Sequence, residues 1–257
     1  MNASVLSCAA VLAAMCAIGS SAGVTQTDPV AQMLARARAA LGGDAALADV
    51  RTVVFKGSSA EGAGHTQSLG EFEISAVLPD KYVRVERRTK SSPPAGGVDL
   101  QPRFFTDLYV VGLDGPQPIY RVPLLTAQTD LRRATASEAR TLRDRAAAEC
   151  GQFLFGLLAA SIDGAPLTFV ADPNDAQALI ASGGSLAFNV RFDPVTHRPA
   201  HFGDLEYGDY RDVGRRRVPH LFTKHIAGRV KHVWRVKQAQ FNVEVDAKVF
   251  RQDTWMR

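Results

Sequence analysis

The sequence predicts an α+β fold: one curved antiparallel sheet of about ten strands, with helices on one face. Three observations lead there. Short runs of alternating apolar and polar residues are separated by Gly, Pro, Asn and Asp turn signals. Helical periodicity is confined to the start and the middle of the chain. No Pro- or Ser-rich linker and no internal repeat divides the chain, so strands and helices share one core.

The first 22 residues read as a targeting segment. They carry no charged side chain, and Val5 to Ile18 is apolar. Ser20-Ser21-Ala22 supplies the small residues of a signal-peptidase site. The apolar run is shorter than the ~20 residues of a membrane span. A signal peptide over 1–22 and one domain over 23–257 are therefore expected, and with them export. Lipid attachment at Cys16 is disfavoured, because Met15 before it is not small. Cleavage would remove Cys8 and Cys16, leaving Cys150 alone and an internal disulfide impossible. Cys150, among Ala and Phe at helical spacing, reads as a small buried apolar residue.

Asp28-Pro29 starts a helix with a capping residue and a Pro in the first turn. Val30, Met33, Leu34, Ala37 and Leu41 form its apolar stripe, and Gly42-Gly43 ends it. A short turn of helix follows from Asp44. Thr52 to Phe55 is β-branched and aromatic. In Gly70 to Val77, Phe72, Ile74 and Ala76 oppose Glu71, Glu73 and Ser75. In Tyr82 to Arg88, Val83 and Val85 oppose Arg84 and Glu86, which predicts the valines inside and the charges outside. Ser91 to Gly97 is a Pro/Gly loop, and Phe104 to Val111 is a further strand.

Thr135-x-x-Glu138 has the form of a capping box and opens the longest helical signal, to Ala160. Leu142, Ala146, Cys150, Phe153, Leu154, Leu157 and Leu158 form its stripe. Gly151 and Gly156 predict a break in its second half, at ~1 kcal/mol each against Ala. Strands are predicted afterwards at Pro166 to Ala171, Ser185 to Phe192, His201 to Tyr207, Val218 to Ile226 and Arg229 to Gln238. Ala227-Gly228 is the turn between the last two.

No catalytic signature stands in the sequence. Gly-x-Ser-x-Gly, the glycine-rich phosphate-binding loops and His-Glu-x-x-His are all missing. No cofactor or metal is expected: His197 and His201 have Pro199 between them and no accompanying Cys. An enzyme is not the expectation. Charge is concentrated: residues 211–257 hold 12 Lys and Arg against four Asp and Glu. Arg215-Arg216-Arg217 is its densest point and the candidate contact for an anionic membrane surface. Nucleic acid is not an expected partner, because aromatics are not interleaved with these charges.

The order of elements resembles a known superfamily. The residues that carry the likeness are Leu41-Gly42-Gly43-Asp44-Ala45-Ala46-Leu47, Gly70-x-Phe72-Glu73 followed by Leu78-Pro79-Asp80-Lys81-Tyr82-x-Arg84, and Phe192-Asp193-Pro194-x-Thr196 before Asp209-Tyr210-Arg211. They resemble the LolA/LolB-like superfamily of periplasmic carriers and outer-membrane receptors of lipoproteins, and the related ligand-sensing domain of an envelope-stress regulator. That resemblance implies an incomplete antiparallel β-barrel with an apolar concave face and helices as a lid. It implies a bound lipid or lipoprotein acyl chain as ligand. The candidate sheet-side lining is then Phe72, Ile74, Val83, Val85, Tyr109, Phe188, Val190 and Trp234. The candidate lid residues are Leu154, Leu157 and Leu158. The alternative on the same fold is a module that binds or senses an envelope protein, with the apolar face serving as core.

Overall fold

The computed structural model describes residues 28–62, 68–92, 103–121, 135–157, 161–162, 165–183 and 186–255. The targeting segment, Cys16 and Leu158 lie outside these residues. Two helices open the described chain, α1 (Pro29–Ala40) and α2 (Asp44–Ala48). Asp28 caps α1 through its carboxylate on the Val30 N–H, as its side chain predicts. A meander follows: β1 (Thr52–Glu61), β2 (Ser68–Val77), β3 (Lys81–Ser92), β4 (Arg103–Asp114) and β5 (Gln117–Arg121). Helix α3 (Ala136–Phe155) comes next, with its capping box formed by Thr135 and Glu138. It runs through Gly151 without the predicted break, because that residue is packed in the core.

The second half is again a meander. A small hairpin, β6 (Ser161–Ile162) and β7 (Ala165–Pro166), leads to β8 (Thr168–Ala171), β9 (Ala178–Gly183) and β10 (Leu186–Phe192). Then come β11 (Pro199–Phe202), β12 (Leu205–Val213), β13 (Arg216–Ile226) and β14 (Arg229–Phe241). Twelve strands form one antiparallel sheet in the order β5-β4-β3-β2-β1-β14-β13-β12-β11-β10-β9-β8. It is an open, curved sheet, an incomplete barrel with helices on its concave face.

Three local departures from the sequence reading have physical causes. The run His201 to Tyr207 is two strands, because Gly203 takes a positive φ and turns the chain at Gly203-Asp204. Strand β5 was hidden by Pro118, which an edge strand tolerates. Strand β9 was hidden by its Ala- and Gly-rich composition.

The two meanders meet where β1 pairs with β14, from Val53 opposite Phe241 to Glu61 opposite His232. The backbones come so close at Gly57 that a Cβ there would lie 1.9 Å from the Arg235 carbonyl oxygen.

The N-terminal helices dock on the β12–β13 turn. The Arg217 N–H donates to the Leu41 carbonyl at 3.0 Å. Arg216 is buried: Nε donates to the Ala46 carbonyl at 2.8 Å, Nη2 to Asp49 at 3.1 Å, and the guanidinium lies over Phe241. Arg217 forms a two-pronged pair with Asp212. The triple-arginine patch expected from the sequence is thus corrected. Arg216 is a docking residue inside the protein, Arg217 is paired along the sheet, and Arg215 is the exposed one, with a 3.6 Å contact to Asp49.

After β14 the chain crosses to the convex face. Two 3-10 turns, Ala247–Phe250 and Gln252–Trp255, lay Phe250, Val249 and Trp255 over Val83, Val85, Val110 and Ile119. The Gln252 carboxamide accepts from the Tyr120 N–H at 2.9 Å and donates to its carbonyl at 3.1 Å. It occupies the outward hydrogen-bonding groups of the edge strand at that residue.

Gly42 sits at φ +118°, and a Cβ there would lie 2.2 Å from the Arg215 carbonyl oxygen. Gly42→Ala is therefore expected to cost about 2 kcal/mol of stability. Chemical denaturation of the two proteins checks this, and equal midpoints would refute the docking role given to this turn.

Candidate functional site

The concave face has an apolar part and a charged part, both covered by α3. Cross-strand pairing identifies which residues share it. Phe72 lies opposite Glu86, Ile74 opposite Arg84 and Ala76 opposite Tyr82. Paired residues in an antiparallel ladder point to the same side. Arg84 and Glu86 are therefore inside with Phe72 and Ile74. Val83 and Val85 pair with Ser75 and Glu73 and face the other way, under the C-terminal turns. This reverses the sequence reading of β3. Alternation reveals two faces, and the tail provides a second apolar cover that makes the valine face buried as well.

In the apolar part, the last turns of α3 meet the second half of the sheet. The Phe153 ring lies 5.1 Å from both Phe222 and Trp234, and Phe155 lies 4.7 Å from Phe202. Leu154 and Leu157 are buried in the same cluster with Phe72, Ile74, Val190 and Trp234. Phe188 is half-buried against Phe202 at 4.8 Å. Six expected lining or lid residues thus meet in one cluster, with Phe188 at its margin. What covers the sheet residues in this structure is the protein's own helix.

In the charged part, Arg84, Glu86 and Arg88 from β3 converge with Glu149 of α3, Glu61 of β1 and His232 of β14. Arg84 is clamped from both sides. Its Nε and Nη2 donate to Glu149 at 2.8 and 3.0 Å, and its Nη1 donates to Glu86. Arg88 donates to Glu86 through Nη2 at 3.0 Å and to Glu61 through Nη1. Its Nε lies 2.9 Å from Glu86 but off the line of a hydrogen bond. Tyr109 lies beneath the Arg88 guanidinium at 4.0 Å from its ring centre. Tyr109 is therefore a member of the charged part and not of the apolar wall.

Glu86 and His232 belong to strands separated by two others, a span of roughly 14 Å at the usual spacing. Small residues lie between: Gly70 on β2, and Gly57 and Ser59 on β1. With no side chain rising at Gly57 and Gly70, His232 Nε2 reaches Glu86 at 2.9 Å. Glycine inside a strand is the one sequence signal that could have pointed to this crossing, since it marks close approach.

The electrostatics follow from this enclosure. Burial pushes the Glu86 carboxyl upward, but the His232 hydrogen bond, Arg84 and Arg88 outweigh it and hold the group well below the usual carboxylate range. Burial alone would depress Arg84; Glu149 and Glu86 keep it charged and raise it. Burial lowers His232, and the Glu86 hydrogen bond does not restore it. The neutral tautomer with a proton on Nε2 fits both contacts: it donates to Glu86, and Nδ1 accepts from Arg88 at 3.4 Å. The imidazole also stacks on Trp234, 3.8 Å between ring centres. Cys150 is buried and its thiol is pushed up to about 12, which suits core packing rather than reactivity.

Helix α3 is tied to both halves of the sheet. Arg145 donates to the Tyr120 hydroxyl at 3.0 Å and the Tyr82 hydroxyl donates to Glu149 at 3.2 Å. Gln152 donates to Asp204 at 2.7 Å, and the Tyr207 hydroxyl donates to the Gln152 carbonyl. Among the described residues, no group of three or more His, Cys, Asp or Glu is arranged to hold a metal ion. No helix among them is long and apolar enough to cross a membrane.

Comparison with protein-family models gives no match, and no curated protein matches the sequence. Solved structures do match. A DUF1329 family protein from Desulfovibrio piger shares 8% identity over 88% of this chain and 99% of its own, with a TM-score of 0.46. A LolA superfamily protein from Nitrosomonas europaea shares 10% over 87% and 98%, with a TM-score of 0.44. A domain from Vibrio parahaemolyticus named for outer membrane lipoprotein sorting shares 11% over 89% and 98%, with a TM-score of 0.41.

Two outcomes follow from the charged part. Glu149→Leu leaves Arg84 short of its bidentate partner in a buried site and is expected to cost about 3 kcal/mol. A double-mutant cycle with Arg84→Leu in chemical denaturation checks this; additive losses would mean the pair does not interact. The second outcome concerns acid. A depressed His232 gives stability that is complete above the ordinary value of 6.5 and is lost as pH falls below it. The depressed Glu86 acts in the same direction at lower pH. The denaturation midpoint should fall from pH 7 to 5, with a shallower fall in His232→Gln. Identical slopes would refute the neutral, buried assignment of His232.

Proposed function

We propose that this chain is an exported carrier or binding protein for an amphiphile, with the acyl chain of a lipid or lipoprotein as its ligand class. The observation that carries this reading is the seating of α3. The apolar end of one helix lies on the apolar concave face of an open sheet, and polar side chains fasten it at a few named points. A guest chain and the end of α3 are chemically equivalent covers for that face. Each buried methylene is worth about 0.8 kcal/mol, so a chain of about fifteen carries about 12 kcal/mol toward displacing the helix. Binding of this kind needs no catalytic group.

In this reading Phe72, Ile74, Val190 and Trp234 form the floor of the ligand site. Leu154 and Leu157 are the helix residues that the guest replaces. The Glu149–Arg84 pair is the latch, because α3 cannot leave the sheet without separating it. The order of elements that resembles the LolA/LolB-like superfamily supports the same assignment, and the apolar segment at the N-terminus supports export to the periplasm.

A second reading, an envelope-protein interaction or sensing module with the same fold, is favoured by one observation. Leu154 and Leu157 fill the concave face so well that each is 1% exposed or less. The sheet then needs no guest.

Uptake of a fluorescent fatty acid separates the two. Glu149→Gln keeps the size of the side chain and removes its charge, so uptake should rise about tenfold through the weaker latch. Trp234→Ala should lower it by about the same factor. Native mass spectrometry with organic extraction of the exported protein should reveal a bound acyl species. A protein that emerges empty and takes up no probe in any of the three forms would decide for the interaction module.

A further inference from the structure

A cleft of about 380 Å³ lies between the end of α1, the β10–β11 connection and the β12–β13 turn. Ala39, Ala40 and Gly42 line it on one side and Thr196 on another. Its charged lining is four arginines, Arg198, Arg215, Arg216 and Arg217, against one carboxylate, Asp212.

These four are not equivalent. Arg217 is satisfied by Asp212 through two hydrogen bonds, at 2.7 and 3.0 Å. Arg216 is spent on Ala46 and Asp49. Arg215 has only the outer oxygen of Asp49 at 3.6 Å, which Arg216 already holds, and its side chain is 71% exposed. Arg198 lies over the Tyr210 ring at 5.5 Å, and its Nε is buried with no hydrogen-bond partner among the described residues. Two guanidiniums therefore border one cleft with donors to spare.

The carbonyls and carboxylates near the cleft already accept hydrogen bonds, and its lining carries more positive than negative side chains. The carbonyls at the end of α1 accept from the N–H groups of Leu41, Gly42 and Gly43. The nearby Asp193 carboxylate accepts from Val195 and Thr196 and keeps its charge, with Arg198 among the groups that hold it ionised. A planar guanidinium with free N–H groups is the side chain best matched to a tetrahedral oxyanion.

We propose that this cleft binds a phosphate group, with Arg198 and Arg215 as its ligands and Arg216 and Arg217 as the framework that holds the turn. The proposal is independent of the acyl-binding reading, since none of the residues named there lines this cleft. A free phosphate and the headgroup of an anionic phospholipid share the chemistry that these two side chains recognise.

Two binding measurements on the full mature chain test it: calorimetric titration with inorganic phosphate, and co-sedimentation with vesicles of phosphatidylglycerol in phosphatidylcholine. The double variant Arg198→Gln, Arg215→Gln should bind about tenfold more weakly. A variant with the same loss of charge elsewhere, Arg229→Gln with Lys237→Gln on the exposed side of β14, should stay within about twofold of the parent. Binding of the free ion with this pattern assigns the site to phosphate in solution. Binding of vesicles alone with this pattern assigns it to a lipid headgroup. Neither ligand bound, or equal weakening by both variants, overturns the proposal, the second outcome marking a general attraction to basic surface. Arg215→Gln alone, at an exposed position, should show about a threefold loss in a fully folded protein. No loss there would also overturn the assignment.

Discussion

The pairing of β1 with β14 is the constraint on which the rest of the molecule depends. It joins the first strand to the last, and so turns two local meanders into one twelve-stranded sheet. Strands β2 to β5 could pair by hairpins alone, and so could β8 to β13. Only the long-range ladder makes a concave face wide enough for α3 to lie across both. The same ladder brings His232 into line with Glu61, and so places the histidine within reach of Glu86. Glycine at position 57 is part of this constraint, because any side chain there would meet the Arg235 backbone. Pairing between sequence-distant strands delays the entropic return of folding, and Arg216, α2 and Asn242 then fasten the seam. Asn242 accepts from the Arg51 N–H at 2.8 Å and donates to the Asp49 carbonyl at 2.9 Å.

The concave face combines two kinds of cover that answer to different physics. Its apolar part is held by area: Phe153, Leu154, Phe155 and Leu157 exclude water from the sheet. Its charged part is held by pairing, since Arg84 and Glu86 are almost wholly enclosed and would each be costly alone. The two meet on α3, where Glu149 and Phe153 stand one turn apart on the helix. Movement of the helix would thus expose apolar surface and break a buried ion pair together. Under the proposed carrier reading, that coupling makes α3 a gate rather than a loose flap. It also gives the gate a chemical handle, because the charge on Glu149 can be removed without altering its shape.

Much of the fold was legible in the residues. The capped starts of α1 and α3, the turn at Ala227-Gly228 and the alternating strands are local features, and local sequence specifies them. The apolar part of the concave face was legible for the same reason: Phe72, Ile74, Leu154, Leu157, Val190 and Trp234 lie on apolar stripes whose burial is nearly obligatory. The charged part was not. In β3 the alternation of Tyr82, Val83, Arg84, Val85 and Glu86 is clear, but which face turns inward depends on what covers the other. The tail from Val245 to Trp255 covers Val83 and Val85, and frees the opposite face to hold charge. Likewise Arg215, Arg216 and Arg217 form a single run in sequence, and only the position of Asp49 and Asp212 separates a buried docking residue from an exposed one.

The sequence by itself determined the class of the fold: an antiparallel sheet with two helical regions, with Cys150 as a small buried core residue. These are matters of periodicity, capping and composition, which neighbouring residues settle between them. The tertiary structure alone decided the inside and outside of β3, the meeting of Glu86 with His232 across two strands, and the division of labour among the arginines. The reason is that a charge is buried or exposed according to its partners, and here the partners come from strands, helix and tail far apart in the chain.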